Sequence, residues 1–287
     1  MERFEGTCET REEGLSRCVT LSNGVEMPWL GLGVFEVDDN DLTETIVRQA
    51  IERGYRSIDT AALYGNERGV GAAIRTCGLP REQVFVTSKV WNTEMRSDRV
   101  EQAFEESMKR LGLDYVDLFL LHWPIEGKIV ASWTALERFY REGRIRAIGV
   151  SNFLPRHLEE IETNCDEMPV VNQIEYHPYL QSLDLKRYCE ERSIRVEAWS
   201  PFMHGGGILR DPTLSEIAES YQKSVAQVIV RWILQTGVAT IPKTQTASRM
   251  VENSDVFDFE LSDSDMRRIA DLERGMRWGG DPNNFDF

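Results

Sequence analysis

The sequence predicts an α/β chain folded as a (β/α)8 barrel, the TIM-barrel architecture, with an N-terminal β-hairpin cap. Three observations carry this expectation. Eight short β-rich runs alternate with amphipathic helical stretches, the runs begin at near-regular intervals, and a turn signal between two short apolar runs precedes the first. Eight alternating strands fit either an open doubly wound sheet or a closed barrel. The count of eight and the regular spacing favour the barrel.

The elements follow in order. Residues 1–16 are polar and acidic and read as a mobile leader, with no apolar signal core. Two short apolar runs then flank Ser22-Asn23-Gly24, a hairpin signal. This hairpin is expected to cap the N-terminal end of the barrel. The strand-like runs begin near Leu30, Ser57, Phe85, Val116, Ile145, Val170, Arg195 and Val238. Most starts are about 25–31 residues apart, the length of one strand–loop–helix–loop unit. The longer last gap holds two helical patterns, 212–221 and 225–235. In 98–112, Val100, Phe104, Met108 and Leu111 share one face, and Gly112 is a stop signal. Segments 41–54 and 130–143 repeat the plan. Residues 17–287 are therefore expected to form one barrel domain.

The 287 residues carry 33 Lys+Arg against 48 Asp+Glu, a net charge of −15, with 41% hydrophobic and 28% charged residues. That composition is ordinary for a globular protein. A sequence pI near 4.8 argues against nucleic-acid binding, which needs a basic face. Five cysteines lack CxxC spacing and read as free thiols in a reducing compartment. The richest apolar stretch, 116–125, contains Asp117 and His122 and is shorter than the roughly 20 residues of a membrane span. A cytoplasmic monomer that does not bind membranes is expected.

In a (β/α)8 barrel, chemistry sits where each strand ends. Strand two ends in Asp59 with Tyr64 in its loop; strand three carries Lys89, then Trp91; strand four ends in His122-Trp123. Singly, Asp59 could be a helix cap, Tyr64 a surface tyrosine, Lys89 a strand-end lysine and His122 a core histidine. Together, four ionisable groups share one mouth. A buried Lys needs a partner, and Asp59 can supply it. The set suits proton donation to a carbonyl oxygen. A tyrosine with a pKa of about 10 is a poor acid, and an adjacent ammonium favours its phenolate. Neutral His122 could orient the substrate oxygen. Lacking a nucleophile and a metal, such a site needs an electron source, which suggests hydride from a nicotinamide cofactor.

The other strand ends suit that cofactor. Ser151-Asn152 and Asn172-Gln173 end strands five and six; Asn152 and Gln173 could grip a carboxamide or be ordinary loop polarity. Trp199, ahead of Ser200, could stack on a nicotinamide or be a core residue. Lys243, Thr244 and Arg249 cluster after strand eight, where this fold often binds phosphate, although a solvated helix end is the alternative. Gly31-Leu32-Gly33 fails as a dinucleotide fingerprint because Glu36 occupies the third glycine position. His204-Gly205-Gly206-Gly207 reads as a flexible loop. Only His122 of the four histidines is expected to face the site.

The motifs GYRSIDTAALYGNE, VTSKVWN, LHWP, AIGVSNF, VNQIEYHPYL, AWSP and IPKTQTASRMVEN, in this order, resemble the aldo-keto reductases over about residues 17–287. The resemblance implies a (β/α)8 barrel binding NADPH/NADP+ and reducing small-molecule carbonyls. It implies Tyr64 as general acid, tuned by Lys89 and Asp59, with His122 orienting the substrate. It further implies Ser151, Asn152 and Gln173 at the nicotinamide amide and Trp199 as its stacking face. Gly33, Val34, Phe35, Asp59, Ser200, Pro201 and Phe202 complete the implied cofactor contacts near the nicotinamide. Lys243, Thr244 and Arg249 match contacts to the 2′-phosphate, and Glu252 and Asn253 contacts to adenine. Phe35, Tyr64, Trp91, His122 and Trp123 match the substrate pocket. Phe35 replaces a common Trp, implying a smaller wall, and Trp199 replaces a common Tyr. The short loop after strand seven implies no long flap. The tail is similar to those of diketogluconate reductase-like and prostaglandin F synthase-like members. A non-catalytic NADP(H)-binding subunit, like the channel-associated members, is the alternative class.

Overall fold

The computed structural model describes Glu2 and residues 4–285; Met1, Arg3, Asp286 and Phe287 lie outside the described residues. In chain order the elements are α1 (Arg11–Ser16), β1 (Cys18–Thr20), β2 (Glu26–Pro28), β3 (Leu32–Gly33), α2 (Asn40–Glu52), β4 (Ser57–Asp59), α3 (Glu67–Thr76), β5 (Phe85–Val90), α4 (Asn92–Arg96), α5 (Val100–Leu111), β6 (Val116–Leu121), α6 (Ile129–Arg141), β7 (Ile145–Ser151) and α7 (Pro155–Asn164). Then come β8 (Val171–Glu175), α8 (Leu183–Glu191), β9 (Arg195–Trp199), α9 (Pro212–Tyr221), α10 (Val225–Gln235), β10 (Ala239–Thr240), α11 (Ala247–Ser254) and α12 (Asp263–Ala270).

Strands β3 to β10 are parallel, each beside its sequence neighbour. The ends of this sheet meet. Gly31 N donates to Thr240 O at 2.9 Å, Thr240 N donates to Trp29 O at 3.0 Å, and Gly33 bridges Lys243 in parallel. The sheet is therefore the expected barrel. Every residue of β5 and β6 is buried, as strands covered on both faces require, and this explains their near-continuous apolar runs. The helices bury one stripe each. Helix α5 buries Val100, Phe104, Met108 and Leu111, and Gly112 at φ 62° ends it in the left-handed region. Helix α10 starts at a reciprocal cap between Ser224 and Gln227.

The hairpin β1–β2 pairs antiparallel as expected. Asn23 Nδ2 in its turn donates to Arg146 O at 2.9 Å, which places the hairpin at the N-terminal end of β7. The segment expected as a mobile leader is instead packed against the barrel. Phe4 is 1% exposed and meets Trp29 edge-on at 6.0 Å. Cys8 N donates to Phe257 O at 2.7 Å, and α1, capped by Thr10, buries Leu15. A few well-placed apolar residues anchor a segment that is polar on average. Two strand ends also differ from expectation. Strand β8 continues past Gln173 to Glu175, so Gln173 lies mid-strand, and β10 stops at Thr240, three residues before Lys243.

Candidate active site

A cleft of about 1000 Å³ opens at the C-terminal ends of the strands. All the residues expected at the site line it except Val34 and Lys89. Val34 is buried beside it, its carbonyl accepting from Asn66 Nδ2 at 2.8 Å. Lys89 lies beneath the floor, wholly buried.

The ionisable groups come together there. Lys89 Nζ donates to Asp59 Oδ1 at 2.6 Å, to Thr60 O at 3.0 Å and to Tyr64 Oη at 3.3 Å. Asp59 ends β4 and Lys89 is the penultimate residue of β5, two neighbouring strands. Tyr64 closes a short 3-10 turn, Ala62–Tyr64. Asn66 holds this turn: it accepts from Thr60 Oγ1 at 2.6 Å and donates to the carbonyls of Val34 and Val37. The Tyr64 ring stands 5.0 Å from Phe35 and 5.8 Å from His122, and Trp91 meets His122 edge-on at 4.9 Å.

Burial pushes the Tyr64 hydroxyl above its ordinary value, while Lys89 pulls it down and Asp59 adds to the rise. The net shift is upward, against the lowering that an adjacent ammonium alone implies. The ammonium acts in the expected direction, but desolvation of the phenolate outweighs it. Burial works against the Lys89 charge, yet Asp59 and Tyr64 together leave its pKa raised, so it stays an ammonium. Burial and the Lys89 charge hold His122 well below 6.5, so its ring is neutral at pH 7. Its Nδ1 is buried without a hydrogen-bond partner. An orphaned N–H costs more than an unfilled lone pair, which puts the proton of the neutral ring on Nε2.

Amide and aromatic groups on β7 to β9 form a bonded row. Asn152 Nδ2 donates to Ser151 Oγ and to His122 O, and Trp199 Nε1 donates to Asn152 Oδ1 at 3.0 Å. Gln173 Nε2 donates to Asp59 Oδ2 at 2.8 Å and to Glu197 Oε2 at 2.7 Å. Both its amide hydrogens are thereby used, leaving only Oε1 as a free hydrogen-bonding atom. At the far end, Lys243, Thr244 and Arg249 line the cleft ahead of and within α11, together with Glu252 and Asn253. Among the described residues neither Lys243 nor Arg249 has an ion-pair partner. A dinucleotide phosphate suits two unpaired cations at a helix N-terminus.

Several groups at the cleft or packed behind its lining carry no motif in the sequence. His204 also faces the cleft, so His122 is not alone among the histidines. The connection after β9, expected to be short, instead runs over 200–211 with two 3-10 turns, and His204 Nε2 on it reaches Glu36 Oε2 at 3.1 Å while its ring stacks on Trp278 at 4.6 Å. Glu175 accepts from the backbone of Trp278 and Gly279, drawing the C-terminal segment to the rim. The Phe285 ring lies tilted against Trp123 at 4.8 Å. Glu197 could have been found by parity, because it lies two residues before Trp199 on the same face of β9. The tail and loop contacts carry no comparable local signal. Among the described residues no His/Cys/Asp/Glu group could hold a metal, and no helix is long and apolar enough to cross a membrane.

Barrel and cleft define an α/β-barrel enzyme with its ionisable groups at the C-terminal mouth. The family model described as "Aldo/keto reductase family" matches residues 29–274, and the chain belongs to that family of oxidoreductases. It is 52% identical to the glyoxal reductase of Bacillus subtilis (strain 168), over 95% of this chain and 99% of that one. It is 50% identical to the 9,11-endoperoxide prostaglandin H2 reductase of Trypanosoma cruzi (strain CL Brener), over 93% and 95%. A solved structure of a Gox0644 mutant in complex with NADPH superposes with a TM-score of 0.89 at 41% identity, covering 94% of this chain and 98% of that one.

Proposed function

We propose that this chain reduces aldehydes and ketones to alcohols with NADPH, Tyr64 donating the proton. The contact that carries the reading is the buried ammonium of Lys89, 2.6 Å from Asp59 and 3.3 Å from the Tyr64 hydroxyl. Bound NADPH supplies the hydride that adds to the carbonyl carbon. Tyr64 gives its hydroxyl proton to the carbonyl oxygen. The phenolate left behind faces Lys89, whose positive charge offsets it. Asp59 keeps that ammonium charged and in place. Neutral His122 offers an N–H to the same oxygen without adding charge, and the ring packed between Tyr64 and Trp91 holds its angle. Phe35, Trp91 and Trp123 give the substrate end apolar walls.

The cofactor would lie along the rest of the cleft. Asn152, Ser151 and the acceptor Oε1 of Gln173 would take the carboxamide. Trp199, fixed through its bond to Asn152, would offer its face to the ring. Gly33, Ser200, Pro201 and Phe202 would border the neighbouring backbone. Lys243, Thr244 and Arg249 would hold the 2′-phosphate, and Glu252 and Asn253 the adenine.

The test is NADPH consumption with an aromatic aldehyde. A panel of keto-sugars, quinones, prostaglandin-like carbonyls and small dicarbonyls such as glyoxal, ranked by kcat/KM, then defines the substrate. Turnover supports the reading. Tight NADPH binding without turnover of any carbonyl would replace it with a non-catalytic NADP(H)-binding role.

A further inference from the structure

A buried acid on β9 takes no part in the proposed chemistry. Glu197, in the middle of β9, is 2% exposed. Its Oε2 accepts from Gln173 Nε2 at 2.7 Å, and the same nitrogen donates to Asp59 Oδ2 at 2.8 Å. Asp59 Oδ1 pairs with Lys89, and Lys89 reaches Tyr64. Glu197, Gln173, Asp59, Lys89 and Tyr64 thus form one continuous chain of hydrogen bonds from the barrel interior to the proposed acid.

Charge balance in this chain is uneven. The charged groups facing Glu197 are Asp59 from β4 and Lys89 from β5. Its neighbours in register are the neutral Gln173 on β8 and Ala239 on β10. Lys89 and Asp59 neutralise each other, so an ionised Glu197 would be an uncompensated charge out of contact with solvent, which is costly.

We propose that Glu197 is a positioning residue for carbonyl reduction. It acts in its protonated form, holding Gln173 on Asp59 and leaving Lys89 with a single counter-charge, and loss of its proton weakens Tyr64 as an acid. This rests on the proposed reductase reading. Burial and the Asp59 charge push the Glu197 carboxyl up to about 7, which puts the change in the neutral range. Above it, Glu197 releases its proton to solvent and the chain gains a negative charge. That charge disfavours the phenolate that Tyr64 must become, and reduction slows.

The test compares kcat at saturating NADPH between pH 5.5 and 9 for the wild type, Glu197→Gln and Glu197→Asp. Glutamine copies the shape of the protonated acid and still accepts from Gln173. The wild type is expected to lose about three- to tenfold in kcat between about pH 6 and 8 through one ionisation, the loss expected when an acid weakens by up to one pKa unit. Glu197→Gln should match the wild-type rate at about pH 6 within twofold and hold it to about pH 8, and Glu197→Asp should keep an inflection. An inflection that survives in Glu197→Gln overturns the proposal, as does a rate lowered equally at every pH. If that variant fails to fold, infrared difference spectra of the NADPH-bound wild type decide. A protonated carboxyl band that gives way to carboxylate near pH 7 supports the proposal, and its absence overturns it. A wild type that reduces no carbonyl refutes the reductase reading alone, because the infrared titration still reports whether Glu197 carries the proton.

Discussion

Lys89 shows how much one residue carries. It is wholly buried, and its three donors go to Asp59, Thr60 O and Tyr64. Lys89→Met keeps the volume but strips Asp59 of its cation. Removing one partner of a buried pair costs about 3–5 kcal/mol, so we expect a lowered Tm. Since Lys89 pulls the Tyr64 hydroxyl down, the variant's tyrosine should titrate at higher pH than the wild type's. Ultraviolet titration of tyrosinate in both proteins checks this; an unchanged or lowered value contradicts the assigned role. Tyr64, Lys89 and His122 were legible in the sequence because each breaks or follows an apolar run at a strand end. Glu197 breaks a run equally, but in mid-strand, where strand-end reasoning does not look.

At the scale of elements, the strands and helices were legible because their periods differ and their stops are glycines such as Gly112. Long-range packing was not. The clamp between Glu175 and the C-terminal segment joins positions about a hundred residues apart, and neither end has a local pattern that names the other. Gly279 marks how tight that clamp is. A Cβ there would stand 2.4 Å from Trp199 Cη2 and 3.0 Å from Cζ3, and the indole cannot easily yield while Asn152 holds its Nε1. Gly279→Ala should therefore tilt the Trp199 face and weaken NADPH and NADH binding alike, with the fold retained. Fluorescence titration with both cofactors measures it. Unchanged dissociation constants would mean that the tail, not Trp199, moves aside.

The whole molecule carries a charge of −15, so the proposed 2′-phosphate site would depend on the local cations Lys243 and Arg249. A charge-assisted hydrogen bond contributes about 1.5–3 kcal/mol, or roughly 10- to 150-fold in affinity, and Arg can make two in parallel. Arg249→Ala should weaken NADPH binding by about that factor and leave NADH nearly unchanged, with the NADPH loss shrinking at high salt. Equal losses for both cofactors would assign Arg249 to the support of α11 instead. The closed barrel was legible as a count of strands. The packing of residues 4–16 on it was not, because it depends on Phe4 and Leu15 meeting partners remote in sequence.

The proposed carbonyl reduction depends on Tyr64 as the proton donor, and Tyr64→Phe removes that donor alone. The ring and its contacts with Phe35 and His122 stay, and only the hydroxyl goes. General-acid catalysis is typically worth about 10²–10⁴-fold. We expect kcat for a poor aldehyde to fall by about that factor while the dissociation constant for NADPH stays within about twofold, well under the tenfold that 1.4 kcal/mol would produce. A variant that retains most of its kcat would contradict the assignment and move the proton donor to another group at the cleft floor.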